Sequence, residues 1–284
     1  MQQVAIVTDS IACLTKELIE QYGIVIVPIN FYASGKLYRD GVDVTVSEAY
    51  ELFLQDPESF KTSPASPGRY LEAYQKASKQ VKNILCITLS SKLSTGYDMA
   101  CVAKEDAKTE LSETTIEVMD SQNVTASEGF IALAAARAAA EGKSLAEVVR
   151  VAEEVKSRAT FILLLDTIRH VYRTGRIPKI AAKVGSMLSI KPILTSSSGL
   201  VRFAGAVRNK EHGINRIIQM MRDRVRQSPV HVAVMHAYTP EEAEKLKERI
   251  ATDFNCAELW VVEMSPVMGY ATGTGTLGIA FYQD

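Results

Sequence analysis

The feature that most constrains the fold is a series of short apolar runs, rich in Val and Ile, that alternate with helical patterns. Residues 4–8 form the first run, residues 14–22 carry a helical pattern, and residues 24–29 form the second run. Similar runs follow at residues 84–89 and 115–119. Continuous apolar runs separated by helices indicate a parallel sheet that is buried on both faces. We therefore predict a parallel α/β domain with four strands.

The pattern changes after about residue 160. Apolar runs at residues 189–195 and 200–204 flank a Ser-Ser-Ser-Gly segment with hairpin spacing, and two later runs, 230–235 and 259–264, are separated by a helical pattern. Antiparallel pairs mixed with helices are typical of an α+β domain. The predicted fold class is α/β with two domains, a parallel-sheet domain over residues 1–159 and a mixed-sheet α+β domain over residues 160–284.

The segment from Gly273 to Gly278 matches the dinucleotide-binding fingerprint letter for letter. Only residues 279–284 remain after it, too few for the helix and second strand that such a site requires. We therefore reject a dinucleotide cofactor and predict a last strand over residues 278–282. The glycines are expected where the backbone bends tightly or approaches another segment closely.

The length and charge of the chain indicate how many domains to expect and which partners not to expect. Its 284 residues are about twice the usual ~150-residue domain, which favours two domains. The hydrophobic content of 47% and charged content of 23% are ordinary for a globular enzyme or binding protein. With 32 basic and 33 acidic residues and no long basic run, we do not expect nucleic acid as a partner.

The cysteines and the hydropathy pattern indicate a reducing environment. The four cysteines, Cys13, Cys86, Cys101 and Cys256, form no Cys-x-x-Cys pair, so neither disulfides nor zinc are expected. No apolar run approaches the ~18 residues of a membrane span, and the first residues lack the pattern of a signal peptide. We predict a cytoplasmic protein without a transmembrane segment.

The segment Ser90–Gly96, here called the serine loop, connects the strand at residues 84–89 to a helix. A loop that brings hydroxyls and backbone N–H groups to a helix N-terminus favours phosphate or carboxylate. The alternative is structural, with Ser94 as a helix N-cap and Ser90 and Ser91 as turn residues. The segment by itself fits the structural interpretation better.

The segment Thr62–Gly68, here called the proline loop, is the second hydroxyl-rich loop. Pro64 and Pro67 restrict the backbone around them and reduce the entropic cost of ordering the neighbouring hydroxyls. Alternatively, Ser66 is an ordinary N-cap with proline at the first helical position. That alternative leaves Thr62 and Ser63 unexplained.

Two acidic segments have functional and structural interpretations. Asp9 and Ser10 follow the first strand, at the edge where parallel sheets collect functional loops, but either could simply cap the next helix. Asp40 and Asp43 could bind a metal ion, although two carboxylates beside an Asp-Gly turn are more often turn residues. We predict no metal site.

The chain contains none of the common catalytic motifs. It has no Gly-x-Ser-x-Gly elbow, no Walker A loop and no His-Glu-x-x-His, and its four histidines lack metal-ligand spacing. A Ser-His-Asp set assembled in space stays open as an alternative. The residues favour a protein that binds an anionic group over a hydrolase.

The order of these motifs resembles the DegV family of bacterial fatty-acid-binding proteins, and the resemblance covers the whole chain. The matching segments, in order, are Thr8-Asp9-Ser10, residues 38–43, residues 62–67, residues 90–97, Asp120-Ser121, residues 174–177 and residues 191–194 followed by Gly199 and Arg208. The serine loop reads Ser-Thr-Gly where the family usually has Ser-Gly-Thr. Singly each match is weak, and together they are specific.

The resemblance implies a two-domain protein that holds one long-chain fatty acid in a tunnel between its domains. By this resemblance Thr62 and Ser94 would hydrogen-bond the carboxylate, with Thr95 or Gly96 contributing a backbone N–H. It also implies a carrier without a cofactor, which presents the acyl carboxylate to a separate ATP-dependent fatty acid kinase. The alternative function is a serine-dependent esterase or a phosphotransferase.

The sequence departs from the family near its end. The family commonly has Gly-x-His-x-Gly-Pro-Gly there, whereas this chain has Ala271 in place of the histidine and Thr274 in place of the proline. This member would then either bind lipid without serving the kinase or use Tyr270 or Arg176 instead. Tyr270, Arg176 and Arg208, together with Gly96, are therefore predicted as a secondary site or a partner contact.

Overall fold

The structure, a computed structural model, describes residues 3–175, 190–226 and 228–284. Within them the strands are β1 Val4–Asp9, β2 Val25–Val27, β3 Asn30–Ala33, β4 Lys36–Arg39, β5 Lys61–Ser63, β6 Asn83–Thr88, β7 Thr115–Asp120, β8 Thr160–Leu164, β9 Lys191–Ser197, β10 Leu200–Val207, β11 Val230–His236, β12 Cys256–Glu263 and β13 Leu277–Gln283. The α-helices are α1 Lys16–Tyr22, α2 Val46–Gln55, α3 Pro67–Ser78, α4 Gly96–Glu110, α5 Ala126–Ala140, α6 Leu145–Arg158, α7 Arg169–Thr174, α8 Lys210–Arg222, α9 Pro240–Asp253 and α10 Pro266–Thr272.

The first sheet is parallel and has four strands in the order β2-β1-β6-β7. β1 is buried along its whole length, and so is β6 apart from its first residue, because helices cover both faces of the sheet. These are the four strands predicted from the apolar runs. The parallel-sheet domain is therefore confirmed.

The second sheet has six strands in the order β10-β9-β8-β13-β11-β12, and β11 and β12 are its parallel pair. The mixed-sheet prediction is confirmed, including the hairpin of β9 and β10. The last strand, β13, lies inside the sheet between β8 and β11. Gly278 is needed there, because a Cβ atom at this position would lie 2.3 Å from the Leu163 Cδ2 atom.

The two faces of the second sheet have different partners. One face, which includes Ile162 and Leu164, packs with α8 and α9 into its own core. The other face, which includes Phe161, Leu163 and Leu194, belongs to the core that also contains β1 and β6. Apolar packing is therefore continuous between the two sheets.

Helix α5 lies between the two sheets and contacts strands of both. Almost all of its residues are buried, and most of them are alanine, whose small side chain allows close approach on all sides. The alanine-rich sequence pattern predicts a helix over residues 122–140. The helix starts at Ala126, because Gln122 and Thr125 have positive φ angles of 51° and 58° that are incompatible with a helix.

A third sheet, with the order β4-β3-β5, was not predicted from the sequence. It is a small antiparallel sheet whose hairpin turn is Ser34-Gly35. The predicted Asp-Gly turn is also present, directly after β4, where the Val42 N–H donates to the Arg39 carbonyl oxygen at 3.1 Å. Thr45 and Glu48 have the sequence spacing that predicts a capping box, and that capping box is present at the start of α2. The domain division between residues 159 and 160 stays a prediction.

Candidate ligand-binding site

A cavity lies where the carboxyl ends of β1 and β6 meet the second sheet. It contains about 910 Å³ of empty space, including its opening to solvent. Most of its wall is apolar, and residues that form this wall include Ile11, Leu89, Phe161, Leu163, Leu194 and Val201.

Thr62 and Ser94 both line this cavity, although they belong to different loops. Ser63 and Thr174 add further hydroxyl-bearing residues to the wall. No Lys, Arg or His is among the described lining residues. The polar side chains among the described lining residues are therefore hydroxyl-bearing ones.

Thr62 is held in place by the third sheet. It lies in β5, where it is paired with Phe31 of β3. The Asn30 Nδ2 group donates to the Pro64 carbonyl oxygen at 3.3 Å, which fixes the chain just beyond Thr62. The small sheet that the sequence pattern missed therefore positions one of the two predicted carboxylate ligands.

Ser94 lies at the end of the serine loop, two residues before the first residue of α4. Its hydroxyl oxygen accepts a hydrogen bond from the Gly96 N–H at 3.3 Å. That bond uses the oxygen as an acceptor, so the hydroxyl hydrogen can be donated to a ligand. The N-cap itself is Thr95, so the interpretation of Ser94 as the N-cap is wrong.

Two carboxylates accept hydrogen bonds from the serine loop and from the residue just before it. The Asp9 Oδ2 atom accepts the Leu89 N–H at 3.0 Å, and Asp120 accepts the Ser91 hydroxyl at 2.6 Å. Asp9 also accepts the Ile11 N–H at 3.0 Å. Asp9 thus connects two residues of the cavity wall, Ile11 and Leu89, and acts as more than a helix cap.

The turn of the β9–β10 hairpin, Ser198-Gly199, packs against the serine loop. The Ser90 hydroxyl donates to the Gly199 carbonyl oxygen at 2.7 Å, and the Lys92 ammonium donates to the Ser198 carbonyl oxygen at 2.8 Å. Val201, just after this turn, lines the cavity. The hairpin therefore closes one side of the site.

Helix α10 forms another wall, and five of its seven residues, from Val267 to Thr272, line the cavity. Its N-cap, Ser265, donates to the Asp40 Oδ2 atom at 2.6 Å and accepts the Val267 N–H at 3.2 Å. Burial raises the pKa of Asp40 to about 6. Asp40 is thus a structural anchor for α10.

The remaining predicted residues are distributed as follows. Tyr270 and Ala271 line the cavity, whereas Thr95 is exposed at the N-cap of α4 and Gly96 is buried. Arg208 is exposed just after β10. Arg176 lies outside the described residues.

Three of the four histidines have clear structural contacts. His212 contacts the side chain of its N-cap neighbour Asn209, and His231 hydrogen-bonds Glu258 at 2.6 Å. His236 accepts the Thr239 N–H at 3.3 Å, and burial lowers its pKa to about 4. None of these three is among the described residues that line the cavity.

In the part of the chain that the structure describes, no helix is long and apolar enough to cross a membrane. The same described residues include no group of three or more His, Cys, Asp or Glu side chains arranged to hold a metal ion. Asp43 forms an ion pair with Arg39 at 2.7 Å, which lowers the pKa of Asp43 to about 2. This ion pair supports the interpretation of Asp43 as a turn residue.

The structure is an α/β protein with a parallel-sheet domain and a mixed-sheet domain, and its cavity is mostly apolar with several hydroxyl-bearing residues in the wall. The chain belongs to the DegV family, since the family model described as "Uncharacterised protein, DegV family" matches residues 3–284. A DegV domain-containing protein of Clostridium perfringens is 30% identical over 99% of both chains. Another, from Caldanaerobacter subterraneus, is 35% identical over 78% of both chains.

Solved structures agree with this assignment. DegV of Bacillus subtilis, described as a fatty acid binding protein, is 27% identical, with a TM-score of 0.89 over 100% of both chains. A DegV family protein of Thermus thermophilus, described in terms of fatty acid binding, is 25% identical, with a TM-score of 0.90 over 99% of this chain and 100% of that one. The fold class is therefore shared with these proteins.

The contact between the hairpin turn and the serine loop can be tested with two matched glycine substitutions. Ser34-Gly35 and Ser198-Gly199 are both two-residue turns with nearly equal φ angles, 50° and 78° against 50° and 77°. A Cβ atom at Gly199 would lie 2.8 Å from the Ser90 Oγ atom, whereas one at Gly35 would meet nothing within 4 Å. Gly35→Ala should cost about 1–2 kcal/mol of unfolding free energy through its left-handed backbone alone.

Gly199→Ala should cost about 1–3 kcal/mol more than Gly35→Ala, because the added methyl group also clashes with Ser90. Urea denaturation measures both values. Adding Ser90→Ala to Gly199→Ala should recover part of the difference by removing the clashing atom. Equal losses for the two glycine variants would show that the hairpin turn does not rest on the serine loop.

Proposed function

We propose that this protein binds one long-chain fatty acid, with its carboxylate at Thr62 and Ser94 and its hydrocarbon chain in the apolar cavity. The observation that supports this most directly is that two hydroxyls from separate loops line one apolar cavity. Thr95 and Gly96 would add the N–H groups at the start of α4, where the helix dipole favours a negative charge. The fatty acid would lie between the two domains, which we divide at residues 159 and 160.

The composition of the wall fits an amphipathic ligand. Burying about a dozen methylenes at ~0.8 kcal/mol each contributes about 10 kcal/mol. Each hydrogen bond to the carboxylate contributes roughly 1.5–3 kcal/mol before desolvation. The chain would therefore supply most of the affinity, and the hydroxyls would select the head group.

The relatives support the same ligand class. The Bacillus subtilis and Thermus thermophilus proteins are both described as binding fatty acid, and this chain matches them over essentially its full length. The cavity here lies in a chain with the same fold. No observation favours the esterase or phosphotransferase alternative, so we propose a non-catalytic binding protein.

We further propose that the protein presents the carboxylate to an ATP-dependent fatty acid kinase and acts in the cytoplasm, where such a kinase finds ATP. This role comes from the family resemblance. Tyr270 lines the cavity and can contact the head group, whereas the exposed Arg208 is available for a partner. Ala271 lines the cavity where the family commonly has a histidine.

The ligand itself can be identified directly. The purified protein should release about one fatty acid per chain when it is denatured and extracted with organic solvent, because such a ligand would be largely buried. Mass spectrometry of the extract measures the amount and chain length. If no fatty acid is found, and none binds after incubation with a series of fatty acids, the proposed function is wrong.

The head-group site can be tested by comparing a fatty acid with the fatty alcohol of the same length. Replacing both Thr62 and Ser94 with alanine should reduce the preference for the acid by about tenfold to a hundredfold, since two donors to the carboxylate are lost. Affinity for the alcohol should change little. Fluorescent-ligand displacement measures both.

Thr95→Ala is the matched control for this experiment. It removes an exposed hydroxyl from the same loop and keeps the backbone N–H, so the preference for the acid should be retained. A double variant that retains the wild-type preference would exclude Thr62 and Ser94 as the head-group ligands.

The kinase role predicts that the loaded protein supports acyl phosphate formation when a fatty acid kinase subunit and ATP are added. If the missing histidine limits this transfer, Ala271→His should raise the rate about tenfold without a comparable change in fatty acid affinity. Radiolabelled ATP measures the product. If neither the wild type nor Ala271→His supports acyl phosphate formation, the proposed kinase role is wrong, whereas the proposal of fatty acid binding is unaffected.

A further inference from the structure

A buried acidic pair lies beneath the serine loop. Asp9, at the end of β1, and Glu128, in the first turn of α5, are both 0% exposed. Burial raises the pKa of Glu128 well above its ordinary value, and the charge of Asp9 raises it further. The two acids are linked through Thr8, which precedes Asp9 in β1 and whose hydroxyl donates to the Glu128 Oε1 atom. Two ionised carboxylates buried in one protein interior are strongly unfavourable unless a cation or a proton neutralises them.

The surroundings of Glu128 supply little to stabilise a negative charge. Its Oε1 atom accepts a long hydrogen bond from the Thr8 hydroxyl at 3.2 Å. Its Oε2 atom is buried without a hydrogen-bond partner among the described residues. An unpaired, buried carboxylate oxygen fits a protonated acid better than an ionised one, because burial disfavours the charged form.

The groups that face Glu128 from neighbouring elements are acids. Asp9 of β1 and Asp120 of β7 are carboxylates whose charges raise the pKa of Glu128. Cys13 and Cys86 are thiols whose pKa values burial raises to about 12, so both are neutral near pH 7. Among the described residues, no Lys, Arg or His forms an ion pair with Glu128 or lowers its pKa.

Asp9 differs from Glu128 in its hydrogen bonds. Its two oxygens accept the N–H groups of Ile11 and Leu89, each at 3.0 Å, and these bonds favour its ionised form. Burial outweighs them and, with a smaller effect from Asp40, raises the pKa of Asp9 to about 7. Of the two acids, Glu128 therefore keeps its proton more strongly, and Asp9 titrates near neutrality.

The pair is structurally connected to the candidate head-group site. Ile11 and Leu89, which donate to Asp9, line the cavity. The Tyr70 hydroxyl, whose pKa is raised by burial and by the charges of Asp9 and Glu128, lies 3.2 Å from the point that a Cβ atom on Gly96 would occupy. The Ser94 hydroxyl lies 3.8 Å from the same point. A negative charge bound at Ser94 would lie in the cavity whose wall residues Ile11 and Leu89 donate to Asp9, and Coulomb interactions near a protein interior are less screened than in bulk water.

We propose that Asp9 and Glu128 form a buried proton-binding pair that holds at least one proton at neutral pH, and that binding a carboxylate at Thr62 and Ser94 makes the pair take up a further fraction of a proton. The second part rests on the proposed fatty acid function. The first part concerns the protein without its ligand. The two parts can therefore fail separately.

The first part predicts a pH dependence of stability. A carboxyl group whose pKa is raised in the folded state stabilises the fold fully below its unfolded pKa, near 4.5 for Glu128, and this contribution is lost as the pH rises towards its folded pKa. Glu128→Gln imitates the protonated acid and cannot ionise. The variant should match the wild type near pH 5, and its melting temperature should exceed that of the wild type increasingly between pH 6 and 9.

Glu117→Gln is the matched control, because Glu117 is an exposed glutamate on β7. Its melting temperature should follow that of the wild type at every pH. Parallel pH profiles for Glu128→Gln and the wild type would overturn the proton-binding pair. If Glu128→Gln does not fold, infrared spectra of the wild type decide, since a buried protonated carboxyl should give a C=O band at pH 7, and the absence of such a band would overturn the pair.

The second part is tested by calorimetric titration of a long-chain fatty acid at pH 7.5 in two buffers that differ in ionisation enthalpy. The difference between the two heats gives the number of protons taken up. The fatty acid's own ionisation is the same for both proteins, so we expect a larger uptake by the wild type than by Asp9→Asn, which lacks the acid that titrates near neutrality. Equal uptake would overturn the linkage, whereas the absence of any binding to the wild type would contradict the proposed function instead.

Discussion

The structure depends on covering one apolar face of the second sheet. Phe161, Leu163 and Leu194 project from that face, and the described residues that cover it belong to the first domain and to helix α5. Burying such a face is the main favourable contribution to joining the two halves of the chain. The two sheets therefore share a core on this face, although the opposite face of the second sheet has a core of its own.

The cavity is the part of this shared core that side chains leave unfilled. It lies at the carboxyl ends of β1 and β6, where parallel strands end and their loops begin. Closely packed protein interiors contain few large voids, so an apolar space of this size between two sheets is typical of a ligand site. Its polar residues come from β5, the serine loop, α7 and α10, and its apolar residues come largely from the second sheet and α10.

Two buried acids hold in place the segments that form the site. Asp9 holds the serine loop and Asp40 holds the start of α10, each through short contacts to backbone or hydroxyl donors. Burial raises the pKa of both acids, so these anchors cost stability that the surrounding apolar packing must offset. Such an arrangement positions donors around a ligand without placing a cation in the described part of the cavity wall.

The sequence by itself determined most strands of the two main sheets. Apolar runs predicted the four parallel strands, and hairpin spacing predicted β9 and β10, because periodicity and turn residues report which face of an element is apolar. The third sheet escaped prediction because its strands are only three or four residues long and mix polar with apolar residues.

The assignment of Thr62 and Ser94 to one head-group site came from the family resemblance, which rests on the order of motifs. The spacing of the two residues in the sequence could not give it. Only the tertiary structure decided that these two residues line one cavity. It also decided that Glu128 is buried, as Asp9 is, although a glutamate in an alanine-rich helix looks like an ordinary surface residue. The physical reason is that a sequence pattern specifies the apolar face of an element, whereas which element covers that face is a property of packing between residues far apart in the chain.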